Sequence, residues 1–276
     1  MSISLLGANE IRELASSLDL RPTKKLGQNF VIDSNVCQKI VRTANVTQND
    51  CVLEIGPGLG SLTLALLEAA ASVTVIEIDN RLAEELPHTV ERHEFDSSLL
   101  RVINEDAMGL ELLEPAPTVL VANLPYNVSV PVLLRAFEKL PSLQKGVVMV
   151  QSEVADRLVA KPGSKNYGSP SAKAAWWGSL TSAGTVSRSI FWPVPNVDSS
   201  LVRFDRQPSP GDEALHLKTF GIIDAAFAQR RKMLRGALSG LLGGEASTIL
   251  ERAGIDPTVR GEALNLDEFI RIAQSY

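Results

Sequence analysis

The chain has 276 residues, 45% hydrophobic and 21% charged, with a formal net charge of −5. That balance is ordinary for a globular protein and argues against wholesale coating of nucleic acid, while leaving room for a local basic surface within a Debye length. With no charged-then-apolar leader and no long uncharged apolar run, the expectation is a cytoplasmic protein without a membrane segment; Cys37 and Cys51 make no disulfide framework, and scattered His88, His93 and His216 lack metal-ligand spacing, so no metal is expected.

Residues 9–20 predict a short amphipathic helix with Ile11, Leu14 and Leu18 on one stripe. The stretch 21–31 is basic, then polar, and ends on the apolar anchors Phe30 and Val31. It reads either as a connecting loop or as an arm that closes over a ligand through Asn29. Asp33 or Ser34 can cap a second helix to about residue 44. Residues 50–55 form an apolar strand, 56–60 a glycine turn (Gly56, Gly58, Gly60) and 61–71 a helix, which is the opening of a doubly wound α/β unit. Further strands are predicted at 73–78, 100–103, 118–122 and 146–151, with helices in 80–98, 130–140 and 152–160. Residues 161–171 read as an exposed, mobile loop. Trp176 and Trp177 fall in a helical stretch, where adjacent side chains diverge, one to the core and one to a surface groove. Strands at 181–190 and 199–205 flank a proline-rich segment, 191–197.

Residues 207–212 are the clearest linker, so two domains are expected: 1–206, opened by a helical arm at 1–48, and a smaller all-helical one at 207–276. In the latter, the stripe Phe220, Ile223, Phe227, Leu234, Leu238 and Leu241 is interrupted by Arg230 and Arg231. The helix there either breaks near Gln229 or turns a basic face to a partner.

The sharpest motif is Asn123-Leu124-Pro125-Tyr126 at the end of the 118–122 strand. Pro125 has no N–H and stops the ladder, leaving an amide oxygen, a backbone carbonyl outside the sheet and an aromatic face side by side. Such a group suits a flat base with an exocyclic NH2, although a plain strand-ending turn fits the tetrapeptide as well. The glycine turn is a nucleotide-binding type with Gly-x-Gly-x-Gly spacing. Glu77 stands at a strand end where a carboxylate can accept ribose hydroxyls, and Asp106 where one can meet an adenine amino group. Two cofactors compete. A nicotinamide dinucleotide needs a pyrophosphate cradle, and nothing basic serves it, whereas a pocket near Glu54, Glu77 and Asp106 suits the sulfonium of S-adenosylmethionine.

The segments 26–30, 53–60, 123–126, 193–199 and 227–232, with the ending at 253–257, together resemble the KsgA/RsmA family of small-subunit rRNA adenine N6,N6-dimethyltransferases, and less closely the related Erm large-subunit rRNA methylases. The resemblance implies a Rossmann-like class I S-adenosylmethionine-dependent methyltransferase domain with a helical C-terminal RNA-recognition domain. It implies cofactor contacts from Asn29, Val31, Gly56, Glu77, Asp106 and Asn123, and dimethylation of two adjacent adenines near the 3′ end of 16S rRNA in the small subunit or its precursor; separately, a monomer is expected. The expected catalytic group is Asn123 and Leu124 as acceptors of the two amino hydrogens, with Tyr126 and Phe191 stacking on the base. Expected RNA contacts are Lys24, Lys25, Arg230, Arg231, Lys232 and Arg235. An Erm-like 23S rRNA adenine methyltransferase, an assembly factor that methylates only incidentally and a small-molecule methyltransferase are the other readings.

Overall fold

The computed structural model describes residues 5–20 and 28–276; Lys24 and Lys25, expected at the RNA interface, lie outside the described residues. From the N-terminus, α1 (Ala8–Ser17) precedes a two-residue strand, β1 (Phe30–Val31), and α2 (Ser34–Thr43). The chain then runs through β2 (Cys51–Ile55), α3 (Ser61–Leu67), β3 (Ser72–Ile76), α4 (Asn80–Arg92), β4 (Leu100–Ile103), β5 (Val119–Asn123), α5 (Ser129–Lys139), β6 (Lys145–Gln151) and α6 (Ser152–Leu158). After α7 (Ser169–Ala174) come β7 (Gly178–Val186), the two-residue β8 (Phe191–Trp192) and β9 (Ser199–Arg206). The remainder is helical: α8 (Glu213–Ala228), α9 (Leu234–Ala237), α10 (Ser239–Leu242), α11 (Ala246–Arg252) and α12 (Leu266–Ser275).

Seven strands form one sheet in the order β4-β3-β2-β5-β6-β9-β7. The pairings from β4 through β6 are parallel, and β9 joins β6 antiparallel. Central strands β2 and β5 read as near-continuous apolar runs because helices cover both faces of a doubly wound sheet. Register fixes the site. Ile55 pairs with Ile76 and Ile76 with Ile103, so the residues after these strands emerge together at one edge. Glu54 pairs with Val121, which places Asn123 level with Gly56. A separate two-stranded ribbon pairs β1 with β8, Phe30 opposite Trp192 and Val31 opposite Phe191. Asp33 caps α2 as anticipated, accepting from the N–H groups of Asn35 and Val36.

The chain divides into two compact units. The first holds the described residues up to Ala155 with Thr181–Arg206, the second Asp156–Leu180 with Gln207–Tyr276. These units differ from the expected 1–206 and 207–276 in that 156–180 groups with the residues after 206. Tyr167 and Ala172 are buried in the second unit's core with Ile222, Ile223 and Phe269, and the Lys173 ammonium pairs with Asp224 at 2.7 Å. The loop expected to be mobile therefore supplies an anchor, Tyr167, whose ring meets Phe227 edge-on at 5.9 Å.

The tryptophans are a second correction. Trp176 and Trp177 lie in the turn before β7, not in a helix, so adjacent side chains need not diverge. Both are buried, and both contact the rings of His216 and Phe220. The strand expected at 181–190 runs instead from Gly178 to Val186. Of the two thiols, Cys37 is fully buried and is pushed up to about 12, first by burial and then by nearby Glu54, while Cys51 is only partly buried. Among the described residues no helix is long and apolar enough to cross a membrane.

Two glycines test the packing. A Cβ on Gly146 in β6 meets the backbone carbonyl oxygen of Leu120 at 2.4 Å, whereas one on Gly221 in α8 meets nothing within 4 Å. Gly146→Ala is expected to cost about 1–3 kcal/mol and Gly221→Ala to add about 0.5–1 kcal/mol in urea denaturation. Equal effects of the two substitutions contradict the packing described.

Candidate active site

The edge where β2, β3, β4 and β5 end opens into a cavity of about 290 Å³. All six positions expected to contact a cofactor line it: Asn29, Val31, Gly56, Glu77, Asp106 and Asn123. The glycine turn forms its floor. Gly56, Gly58 and Gly60 take positive φ (70°, 59° and 99°), a backbone state that L side chains rarely adopt. At Gly58 the requirement is also steric, because a Cβ there comes within 2.9 Å of the Phe30 ring. The arm is locked down beside the turn by the Ser61 hydroxyl, which donates to the Val31 carbonyl at 2.7 Å.

Glu77 is 5% exposed and braces the turn: Oε2 accepts the Gly58 N–H at 3.1 Å and Oε1 the Asp79 N–H at 2.9 Å. Each oxygen keeps a second acceptor direction, so a pair of hydroxyls can still be held. Burial holds its pKa above the usual carboxylate value, and the two N–H bonds oppose that rise. Asp106 is exposed, and its Oδ1 accepts the Met108 N–H at 2.9 Å, which fixes the turn after β4.

Asn123 ends β5. Its Nδ2 donates to the Asn29 carbonyl at 3.2 Å. A carbonyl can only accept, so this contact sets which end of the amide is NH2 and turns Oδ1 the other way. The Leu124 N–H continues the ladder to the Met149 carbonyl at 3.1 Å, and Pro125 then ends it. Tyr126 is half-buried, with its hydroxyl 3.0 Å from the Ser199 hydroxyl. Phe191 departs from expectation. At 1% exposure it belongs to the core under the β1–β8 ribbon, so a base cannot stack on it as placed, and its expected stacking role is withdrawn.

The sequence reading passed over several lining residues. Ile78 and Met108 are large apolar side chains, 53% and 42% exposed at strand ends, and Val132 lines the same cavity. An apolar residue directly after an acidic strand-end residue is a signal that was available for Ile78. Gln28, inside the 21–31 arm but given no role of its own there, also lines the cavity, and its Nε2 donates to Asp79 at 3.2 Å. Among the described lining residues four are acidic and none is Lys, Arg or His, which suits a ligand carrying positive charge and offers nothing to a pyrophosphate. No group of three or more potential metal ligands occurs among the described residues.

In the second unit, α8 ends at Ala228, and Arg230 to Lys232 occupy the connection to α9. Of the two alternatives, the helix breaks. Arg230 is committed internally, to Glu262 at 2.8 Å and the Lys165 carbonyl at 2.6 Å. Arg231, Lys232 and Arg235 are exposed and make no side-chain ion pair among the described residues.

Glu54, 1% exposed on β2, also lines the cavity and accepts from the Thr63 hydroxyl at 2.7 Å. Burial pushes its carboxyl up to about 8, the charge on Glu77 adds to this, and the Thr63 bond opposes it. A raised acid stabilises the fold below its unfolded value near 4.5, and that contribution is lost as pH climbs through about 8. Glu54→Gln removes the titration and keeps the acceptor. Its stability relative to wild type is expected to rise by roughly 3–4 kcal/mol between pH 5 and pH 8 in urea unfolding. A pH-independent difference contradicts the assignment.

Residues 20–276 match the family described as ribosomal RNA adenine dimethylase. The ribosomal RNA small subunit methyltransferase A of Kineococcus radiotolerans is 56% identical over 98% of this chain and 91% of its own length. Among solved structures, a dimethyladenosine transferase from Plasmodium falciparum superposes with a TM-score of 0.75 at 25% identity, covering 88% of this chain and 95% of that one. The 23S rRNA methyltransferase ErmE gives 0.67 at 25% identity, covering 90% and 99%. With a match over nearly its whole length and relatives above half identity, the chain belongs to the ribosomal RNA adenine dimethylase family.

Proposed function

We propose that this protein is a 16S rRNA adenine N6,N6-dimethyltransferase that uses S-adenosylmethionine and acts on two adjacent adenines of the small-subunit rRNA or its precursor. The observation that carries the reading is Asn123: its amide NH2 is spent on the Asn29 carbonyl, so Oδ1 is left as an acceptor at the mouth of a cavity lined by all six expected cofactor positions. The small-subunit assignment follows the name of the Kineococcus relative at 56% identity, against 25% for ErmE. The cofactor fits by the chemistry of the lining. Glu77 suits a ribose diol, Asp106 an adenine amino group, and Ile78 and Met108 the faces of a purine, while the excess of carboxylates suits a cation.

When bound, the cofactor supplies an electrophilic methyl group on a sulfonium centre. The protein's part is orientation. An adenine amino nitrogen is a poor nucleophile because its lone pair is delocalised into the ring. Asn123 Oδ1 and the Leu124 carbonyl accept its two hydrogens, favour a pyramidal nitrogen and aim the lone pair. Tyr126, held by Ser199, supplies a stacking face, worth about 1–3 kcal/mol for a base. No strong general base is needed, since the methylated ammonium is acidic and gives its proton to water. After the first transfer a single N–H remains for the same two acceptors, so the nitrogen is held more loosely for the second.

Asn123→Ala is expected to lower methyl incorporation about 10²–10³-fold, with cofactor affinity in calorimetry changed by less than about tenfold; unchanged turnover contradicts the role. Exposed Arg231, Lys232 and Arg235 are the basic surface offered to RNA phosphates. Replacing all three by Ala is expected to flatten the log–log salt dependence of filter binding by about 2–3, near 0.7–0.9 per lost phosphate contact. An unchanged slope removes this surface from the interface.

A further inference from the structure

Glu54 has no part in the mechanism above, yet it occupies a costly position. Its neighbours on β2, Val52, Leu53 and Ile55, are all buried hydrocarbon, and a charge at that depth is expensive unless something balances it. Among the described residues nothing balances it. From the turn after β3 comes Glu77, which adds negative charge; from α2 comes Cys37, a thiol that burial keeps protonated; α3 contributes the Thr63 hydroxyl and β5 the Asn123 amide, neither of which titrates. Across the cavity stand Glu105 and Asp106, and no Lys, Arg or His is among the described lining residues. No described residue offers Glu54 a positive charge, and a cationic ligand in the cavity would supply one.

On the S-adenosylmethionine reading, on which this inference rests, the methyl donor carries one net positive charge and the demethylated product none. We propose that Glu54 distinguishes donor from product by charge, holding the donor as a carboxylate and the product as a carboxylic acid, so that donor binding expels a proton and methyl transfer draws one back. The balance closes. On binding, the Glu54 O–H breaks and its proton goes to buffer. On transfer, the electron pair of the carbon–sulfur bond stays on sulfur, the new carbon–nitrogen bond uses the amine's lone pair, and the amine's proton leaves to water. Glu54, now facing a neutral sulfide, takes a proton from solvent. The carboxyl, pushed up to about 8 by burial, is mostly protonated in the free protein at neutral pH, so nearly one proton is available for release.

The test is titration calorimetry of the full chain at pH 7 in two buffers of different ionisation enthalpy, with S-adenosylmethionine and S-adenosylhomocysteine as probes. Wild type is expected to release nearly one proton with the former and almost none with the latter. Donor affinity is expected to rise close to tenfold per pH unit from pH 6 to pH 7.5, with product affinity flat. In Glu54→Gln the slope is lost and the donor-to-product affinity ratio falls at least tenfold. Should that variant fail to fold, the wild-type proton count decides alone. Equal proton counts for the two ligands, or a slope that survives in Glu54→Gln, overturn the inference and leave the cofactor reading standing. If neither ligand binds, the cofactor reading itself fails.

Discussion

The site depends on where one strand stops. β5 ends because Pro125 has no N–H to give, and it ends level with the glycine turn because Glu54 and Val121 are in register. Asn123 is thereby delivered to the cavity's mouth, and a single hydrogen bond to the Asn29 carbonyl sets which face of its amide is presented. A one-residue slip of β5 against β2 turns Asn123 to the opposite face of the sheet and removes the acceptor.

The surrounding parts answer to the same edge. Glu77 braces the glycine turn through Gly58, and the turn's positive φ values keep its backbone close to the ligand space. The arm reaches the edge from the other side through Phe30 and Val31, held by the β8 ribbon and by Ser61. The cavity thus joins a set of acids, with no basic residue among its described lining, to the Asn123 amide at its mouth. On the proposed reading the acids recruit a cation and the amide aims a nucleophile at it; a methyltransferase of an exocyclic amine needs both.

Much of this was legible in the sequence because it is local. The glycine turn, the acids after successive strands and the proline after Asn123 sit beside one another along the chain, and strand-end chemistry follows from strand ends. What was not legible depends on long-range pairing. Phe191 is expected as a stacking face from the family resemblance, but its strand partner is Val31, and the residue is buried there. The Ser199 hydroxyl reaches Tyr126 across 73 positions. Residues 156–180 read as part of the first domain by chain order, yet Tyr167 and Lys173 bind them to α8. The Trp176–Trp177 pair misled because helix geometry was assumed for a turn.

The central claim is that the Asn123 corner holds an adenine amino group of small-subunit rRNA opposite a methyl sulfonium. The most direct test is to incubate the protein with undermethylated small subunits and deuteromethyl-labelled S-adenosylmethionine, then map the label by mass spectrometry of nuclease fragments. The account expects four labelled methyl groups on two neighbouring adenines near the 3′ end of the small-subunit rRNA, two on each N6. Label on another base or another position of adenine, or its absence from the small-subunit rRNA, contradicts it.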